Sequence, residues 1–194
     1  TVTFDLRDTE DKVLPLQAGD LHIIQIQGLE SAQTVQGSGV ADVMPLKDSS
    51  WLSIAWNNRT PKAPFNDVRV RRALALAVDK AAFIAFEGGE TGVVTNQMVA
   101  PGNFYFDQAM HDADPFAKPD LEKAKALLAE AGVSGLRLSI KLPPPSYARR
   151  GGEILASQLK DVGIEAELVP VEWAQWLEQV FKNKDFQLTI ISHT

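Results

Sequence analysis

The sequence contains no cysteine, so disulfide bridges and thiolate chemistry are excluded. Histidine is scarce: His22, His111 and His193 stand far apart and show no spacing typical of metal ligands. No apolar run approaches the roughly 20 residues that a membrane-spanning helix requires. Serine-nucleophile, dinucleotide-binding and phosphate-binding motifs are also missing. We therefore expect no catalytic centre, no cofactor and no metal site.

Basic residues are fewer than acidic ones: the sequence has 19 Lys+Arg and 25 Asp+Glu, which give a net charge of −6. An acidic chain repels phosphate backbones, so we expect no nucleic-acid partner. The one dense basic run, Arg69 to Arg72, lies at the start of a helical pattern, where the helix dipole disfavours cations. We interpret these arginines as the rim of a buried helix, paired with nearby carboxylates or carbonyl groups.

What the chain does contain is typical of a globular protein. Its 194 residues are 45% hydrophobic and 23% charged. The sequence begins with TVTFDL, a strand-like pattern without a start methionine or a leader peptide, which we interpret as a processed or excised piece.

The first half of the chain mixes short strands and helices. Alternating apolar residues predict strands over 1–6, 21–28, 40–46 and 51–57. Two short helices separate the first three strands; the first has Asp8 or Thr9 as its N-cap, and each ends at a glycine. A longer helix over 66–84 follows, capped by Asn66 or Asp67, with its inner face formed by Val70, Leu74, Ala77, Ala81 and Ile84. Residues 87–119 predict a long loop.

The second half alternates regularly between helices and strands. A helix over 120–132 precedes a strand over 136–142, and the next helix ends at Gly163 with Leu155, Leu159 and Val162 inward. A further strand, a helix and a last strand complete the chain. That last helix has Trp173, Trp176, Leu177, Val180 and Phe181 on one side. This order predicts an α/β fold with a largely parallel sheet and helices on its faces.

Open α/β sheets bind ligands beyond the carboxyl ends of their strands. The candidate ligand-binding residues are therefore those that directly follow a strand: Asn57, Tyr147, Arg149, Trp173 and His193. Tyr147 offers a ring with a hydroxyl group, and Arg149 or Arg150 a bidentate donor for a carboxylate. A structural role remains the alternative for each, since Trp173 falls on the apolar helix face and Arg149 suits a helix surface.

Four stretches together resemble the family 5 solute-binding proteins of ABC transporters, the dipeptide, oligopeptide and nickel group. They are LQAGDLHII, APFNDVRVRRALALAVDKAAF, DLEKAKALLAEAG and ILASQLKDVGIEAELVPVEWAQWLEQV. The resemblance implies a periplasmic binding protein type II lobe, with a mixed, largely parallel sheet flanked by helices. Residues 1–194 then form a single lobe, the second of two, with the N-terminal lobe absent.

The resemblance also implies a function without chemistry. Such a protein is a periplasmic receptor, made with a signal peptide, that closes two lobes on a peptide, opine or similar solute and delivers it to an ABC permease. The alternative is a sensing or protein-interaction domain that reuses the fold. A parent sequence without a signal peptide and fused to a regulatory domain would favour this alternative.

Few residues of this sequence match the ligand-binding motifs of the family. Its ligand-facing loop falls on residues 143–150, where peptide-binding members often place an arginine before the tyrosine position. Ser146 precedes Tyr147 here, which argues against clamping the carboxylate of an ordinary dipeptide. Residues 192–194 read SHT where the family commonly has an aromatic and then an acidic residue, so no acid for a ligand amine is assigned. His22 replaces a usual aspartate, and we expect it to have a surface or strand-packing role.

Overall fold

The computed structural model describes residues 12–26, 29–45, 50–59, 64–87, 89 and 92–193. The chain divides into two compact units, Thr1–Leu46 and Lys47–Thr194. The predicted strand over 1–6 and the predicted caps Asp8 and Thr9 lie outside the described residues. In the part of the chain that is described, no helix is long and apolar enough to cross a membrane.

In its described residues the first unit contains two helices, α1 (Val13–Gln17) and α2 (Leu29–Ser38), which contact each other. Each carries one buried apolar side chain, Leu16 in α1 and Val35 in α2. Gly19 and Gly39 follow the helices with φ of 82° and 67°. This left-handed conformation ends a helix and is open to glycine without steric cost. α1 ends at Gly19 as predicted, whereas α2 runs through Gly37, its predicted end, and stops at Gly39.

Two of the predicted strands are wrong. Residues 21–26 and 40–45 have no strand structure, and Ile23, in the middle of the first run, is almost fully exposed. An alternating pattern becomes a strand only where a neighbouring strand accepts its backbone hydrogen bonds. Among the described residues, the one sheet contains neither of these segments.

The second unit is built on a four-stranded mixed sheet. Its strands are β1 (Trp51–Trp56), β2 (Arg137–Leu142), β3 (Glu165–Pro170) and β4 (Leu188–His193), in the spatial order β1-β4-β2-β3. β2 runs parallel to both β3 and β4, whereas β1 pairs antiparallel with β4 along its whole length. The predicted α/β class and the mixed, largely parallel sheet are confirmed.

Helices cover both faces of this sheet. The main core lies between one face and the helices α3 (Val68–Ala77), α6 (Leu121–Glu130) and α7 (Ser146–Lys160). Leu188 and Ile190 of β4 point into that core, whereas Ile191 points to the opposite face. There it meets α8 (Trp173–Trp176) and the π-helical segment Leu177–Lys182 that continues it.

The helix predicted over 66–84 is interrupted. Val78 adopts an extended conformation, so α3 ends at Ala77 and α4 (Lys80–Glu87) starts a new axis. Asp79 caps α4 by accepting from the Ala81 backbone N–H at 2.9 Å. The predicted inner face is correct in α3, where Val70, Leu74 and Ala77 are buried. Ala81 is exposed, because the break at Val78 gives α4 a different orientation from α3.

Two arginines of the basic run at the start of α3, Arg69 and Arg71, are paired with carboxylate and carbonyl oxygens, as predicted. Asp67 caps the helix by accepting from the Arg69 N–H, and the Arg69 guanidinium returns to the Asp67 carboxylate at 2.6 Å. The same guanidinium donates to the Glu130 carbonyl at 2.7 Å, and Arg71 donates to the Phe65 carbonyl at 2.8 Å. Hydrogen bonds from Arg69 lower the pKa of Asp67 from 3.8 to about 2.

The last helix also differs from the prediction. Trp176 and Val180 are buried, but Trp173, Leu177 and Phe181 are exposed. The prediction that five residues share one side of this helix rests on the regular period of 3.6 residues per turn. The π-helical turn over Leu177–Lys182 is wider, so different side chains face the sheet. In the long segment between α4 and α6, residues 108–112 form a short helix, α5 (Gln108–Asp112).

Candidate ligand-binding edge

One edge of the sheet gathers most of the candidate residues. β2 and β3 end side by side at Leu142 and Pro170, and β4, which is parallel to β2, runs on past the level of Leu142 to His193. We call this the carboxyl edge. The Val171 N–H donates to the Leu142 carbonyl at 2.9 Å, which keeps the exit of β3 against the end of β2. Of the five predicted site residues, Tyr147, Arg149 and Trp173 follow the ends of β2 and β3, and His193 is the last residue of β4.

His193 lies at this edge in a stacked pair. Its ring centroid is 4.4 Å from that of Trp51, with 30° between the ring planes. The two residues are also register partners, since β1 begins where β4 ends. Sequence reasoning missed Trp51 because the antiparallel direction of β1, which brings its first residue to this edge, leaves no signal in the sequence.

Trp173 occupies the other side of the edge, three residues beyond β3, with 37% of its surface exposed. Its ring meets Trp176 edge-on, with centroids 5.8 Å apart and 81° between planes. Trp176 is itself fixed, because its indole N–H donates to the Thr189 hydroxyl at 3.0 Å. A buried aromatic residue therefore holds Trp173 in place while leaving much of its ring open.

The connection from β2 to α7 forms the centre of the edge. Three prolines, Pro143 to Pro145, lead directly into α7, whose first turn has no side-chain cap and no acidic residue. Arg149 ends that turn, and Arg150 follows it. Arg149 is exposed, and the Arg150 guanidinium lies 5.2 Å from the centroid of the Phe86 ring. This terminus favours negative charge, because helix N-termini and guanidinium groups both attract anions.

Tyr147 is buried among the core side chains, so its ring supports the edge from below. Asn57 lies elsewhere. Its amide donates to the Lys184 and Phe186 carbonyls at 2.6 and 3.2 Å, at the start of β4. Because β1 is antiparallel, its carboxyl end lies at the opposite edge from His193, and the expectation that Asn57 joins the other candidates there was geometrically wrong.

Two surface hollows in the described structure lie away from this edge. One, of about 740 Å³, opens beside residues 114–123, and the other, of about 460 Å³, lies by the turns that precede β2 and β3. In the described ranges, no group of three or more His, Asp or Glu side chains converges closely enough to hold a metal ion. The carboxyl edge is a set of partly and fully exposed aromatic and cationic side chains.

Comparison with known proteins identifies the chain's family. The model of the bacterial extracellular solute-binding proteins, family 5 Middle, matches residues 1–194. Similar curated proteins include the dipeptide-binding protein of Escherichia coli, 32% identical over 139 residues, and heme-binding protein A of Haemophilus influenzae, 29% identical over 188 residues. These matches cover 69% and 94% of this chain but 25% and 33% of the relatives, so the chain spans a third of their length or less.

Solved structures share the fold. The oligopeptide-binding protein AppA of Bacillus subtilis, in complex with a nonapeptide, matches 93% of the chain and 38% of its own, with a TM-score of 0.74 and 24% identity. The substrate-binding protein CtaP of Listeria monocytogenes matches 96% and 39%, with a TM-score of 0.76 and 20% identity. With the family model matching from end to end, the chain belongs to the bacterial extracellular solute-binding proteins of family 5.

Proposed function

We propose that the chain is one ligand-binding lobe of the extracytoplasmic receptor of an ABC importer. In this proposal residues 1–194 form the second lobe of a two-lobe protein, whose N-terminal lobe lies outside this sequence. The receptor binds a peptide or a peptide-like solute between the lobes and delivers it to a membrane permease, without chemical change. Family membership and the names of the relatives, which are binding proteins, support this assignment.

The observation that carries the proposal is the open carboxyl edge. Ligands of α/β proteins sit beyond the carboxyl ends of parallel strands. Here that position offers the stacked pair Trp51 and His193 after β4, the partly exposed Trp173 after β3, and the exposed Arg149 near the start of α7 after β2. Aromatic faces bind the apolar parts of a peptide, and a guanidinium binds its carboxylates. A second lobe would complete the binding site when the two close.

Thermal shift measurements on the full-length protein test this proposal. The panel contains dipeptides, longer peptides up to nonapeptides, opines, sugars, metal chelates and haem. A bound solute stabilises the folded state by mass action, so one class should raise the melting temperature in a dose-dependent way. A protein that none of these compounds stabilises, but that turns over a hydrolase substrate, would contradict the receptor assignment.

Substitution at the edge tests which residues make the contact. Trp173→Ala should weaken binding of the solute that gave the largest thermal shift by about tenfold, because an aromatic contact is lost. Phe181→Ala is the matched control, since Phe181 is an exposed aromatic residue of the same helical region outside the carboxyl edge. Equal affinities of the two variants in calorimetry would place the site elsewhere.

A further inference from the structure

A second exposed surface lies in the segment between α4 and α6. Five large apolar side chains there are exposed: Val93, Met98, Phe104, Tyr105 and Met110. Phe104 and Tyr105 protrude furthest, with 92% and 79% of their surfaces in solvent, and their rings form an edge-to-face pair with centroids 5.3 Å apart. Single exposed apolar residues are ordinary, but a paired aromatic tip marks a site of association.

Side-chain hydrogen bonds close this segment into a loop. Gln97 and Asp107 bond reciprocally: the Gln97 amide donates to the Asp107 carbonyl at 2.8 Å, and the Asp107 N–H donates to the Gln97 side-chain oxygen at 2.9 Å. Within residues 97–107, which we call the aromatic loop, the Tyr105 N–H donates to the Asn103 side chain at 3.0 Å. The aromatic pair is therefore held at a closed tip before any partner arrives, which lowers the entropy cost of binding.

The base of the aromatic loop is fixed to the main body of its unit. Asn96 donates to the Met110 carbonyl at 3.0 Å and so ties the loop to α5. Beyond α5, Asp114 forms an ion pair of 3.2 Å with Lys80 of α4, and its side chain is only 7% exposed. Asp114 also accepts from the Phe116 N–H at 2.9 Å. A loop anchored at its base and closed below its tip presents its aromatic rings in a defined position.

The charged side chains of the segment itself have one sign. Residues 92–117 contain no lysine or arginine and three aspartates, of which Asp107 and Asp112 are exposed. A complementary surface therefore has an apolar pocket for the aromatic pair and lysine or arginine side chains around it. Two copies of this chain docked tip to tip would oppose carboxylates to carboxylates. A membrane surface of anionic lipids is disfavoured for the same reason.

We propose that the aromatic loop is a docking element for a partner protein with an apolar pocket rimmed by basic side chains. The inference rests on the proposed function, under which that partner is the permease. The tip supplies the aromatic anchor, and Asp107 and Asp112 supply electrostatic attraction at its base. This surface is separate from the carboxyl edge in its residues, so docking and solute binding are affected by different substitutions.

The test uses the full-length receptor with its cognate permease reconstituted in nanodiscs, and measures receptor-stimulated ATPase activity. Phe104→Ser/Tyr105→Ser should raise the receptor concentration for half-maximal stimulation at least tenfold, because hot-spot anchors dominate protein interfaces. Ile23→Ser/Met44→Ser is the control, since these side chains are equally exposed at 92% and 76%. Asp112→Lys should also raise that concentration and reduce its dependence on salt.

Solute affinity, melting temperature and light scattering of the same variants separate the outcomes. The proposal stands if the loop variant keeps its solute affinity and melting temperature while its stimulation weakens. An unchanged half-maximal concentration overturns it. A loop variant that melts several degrees lower than the wild type also overturns it, since the loop then packs within the receptor. So does a wild-type receptor that forms a dimer in light scattering when the loop variant does not. If the wild-type receptor gives no stimulation, the receptor function itself fails, and the docking proposal with it.

Discussion

At the scale of single residues, Thr189 shows how one buried hydroxyl group supports the proposed site. Thr189 is 2% exposed, its hydroxyl donates to the Lys141 carbonyl at 2.7 Å, and it accepts the Trp176 indole N–H at 3.0 Å. It therefore ties α8 to the centre of the sheet. Through Trp176, the same hydroxyl positions Trp173 at the carboxyl edge.

Replacing Thr189 by valine keeps the shape but removes the hydroxyl group. We expect Thr189→Val to lower the free energy of unfolding by about 1–3 kcal/mol, because a buried donor on Trp176 is left unsatisfied. Urea denaturation measures this change. Thr34→Val is the control: its hydroxyl bonds to the Glu30 carbonyl on an exposed helix surface. A Thr189 variant no less stable than the Thr34 variant would contradict the role we assign to this bond.

Gly152 of α7 is a second residue that the packing requires. A Cβ atom added there would lie 2.5 Å from the Leu142 Cδ1, inside the buried core. The steric cost of overpacking the core exceeds the gain in helix propensity from replacing glycine by alanine. Gly152→Ala should therefore lower the free energy of unfolding by about 1–3 kcal/mol.

The matched control is Gly37→Ala in α2, where an added Cβ meets nothing within 4 Å. This substitution should be neutral or stabilise by up to about 1 kcal/mol, as alanine does in an exposed helix. Combining Gly152→Ala with Leu142→Ala should relieve the overlap, so thermal melts should show the two changes to be less than additive. Strict additivity would show that Leu142 is not the obstacle.

At the scale of secondary structure elements, the start of α3 has a titratable cap. Asp67 caps the helix, and hydrogen bonds from Arg69 lower its pKa from 3.8 to about 2. Since the folded-state pKa lies below the unfolded value, this carboxylate stabilises the fold above pH 3.8, and its contribution is lost as the pH falls through about 2.

Asp67→Asn should therefore reduce the free energy of unfolding near neutral pH and make progressively less difference as the pH falls towards 2, where half of the wild-type carboxyl groups are protonated. Denaturation curves from neutral pH down to about pH 2 measure the difference between the two proteins. Asp42→Asn, an exposed substitution in the other unit, is the control. A difference that stays constant over this range would show that the negative charge of Asp67 contributes nothing.

The elements of the second half were predictable because the local signals agree with the tertiary environment. α6 has Asp120 as its cap and Gly132 at its end, and β2 shows the alternation of a strand packed on one face. The break after α3 also had a signal, because Asp79 is a typical N-cap residue inside an apolar run. Its capping role depends on the turn at Val78, and the Gln158 side chain secures that turn by bonding the Asp79 backbone at 3.1 and 3.3 Å.

Other features have no local signal. The alternating patterns at 21–28 and 40–46 resemble that of β1, and only the pairing of β1 with β4 distinguishes them. The direction of β1 decides which of its ends meets the candidate site, so Trp51 was missed and Asn57 was expected at the wrong edge. Pairing and direction come from contacts between distant parts of the chain, which a periodic pattern does not encode.

At the scale of the whole second unit, the two edges of the sheet differ in character. β3 carries the exposed Glu165 and Glu167 and ends in Pro170, features that discourage pairing with another strand. β1 has the sequence WLSIAW, with no charge and no proline, and within the described residues nothing pairs with its outer side. An unprotected edge of this kind is suited to accept another strand.

We therefore expect the 194-residue chain by itself to associate at high concentration through β1. Leu52→Lys should reduce this association, because a charged side chain on an edge strand opposes pairing. Light scattering over a concentration series measures it, with Val169→Lys in β3 as the control. A wild-type chain that remains monomeric throughout would contradict the expectation.

The stacked Trp51 and His193 also give this protein an optical probe of its own. An imidazole ring against an indole alters the indole's fluorescence, and the effect depends on their separation. The pair joins the first strand of the unit to the last, at the edge where we place the solute. Any movement that shifts these strand ends relative to each other should change the emission of Trp51.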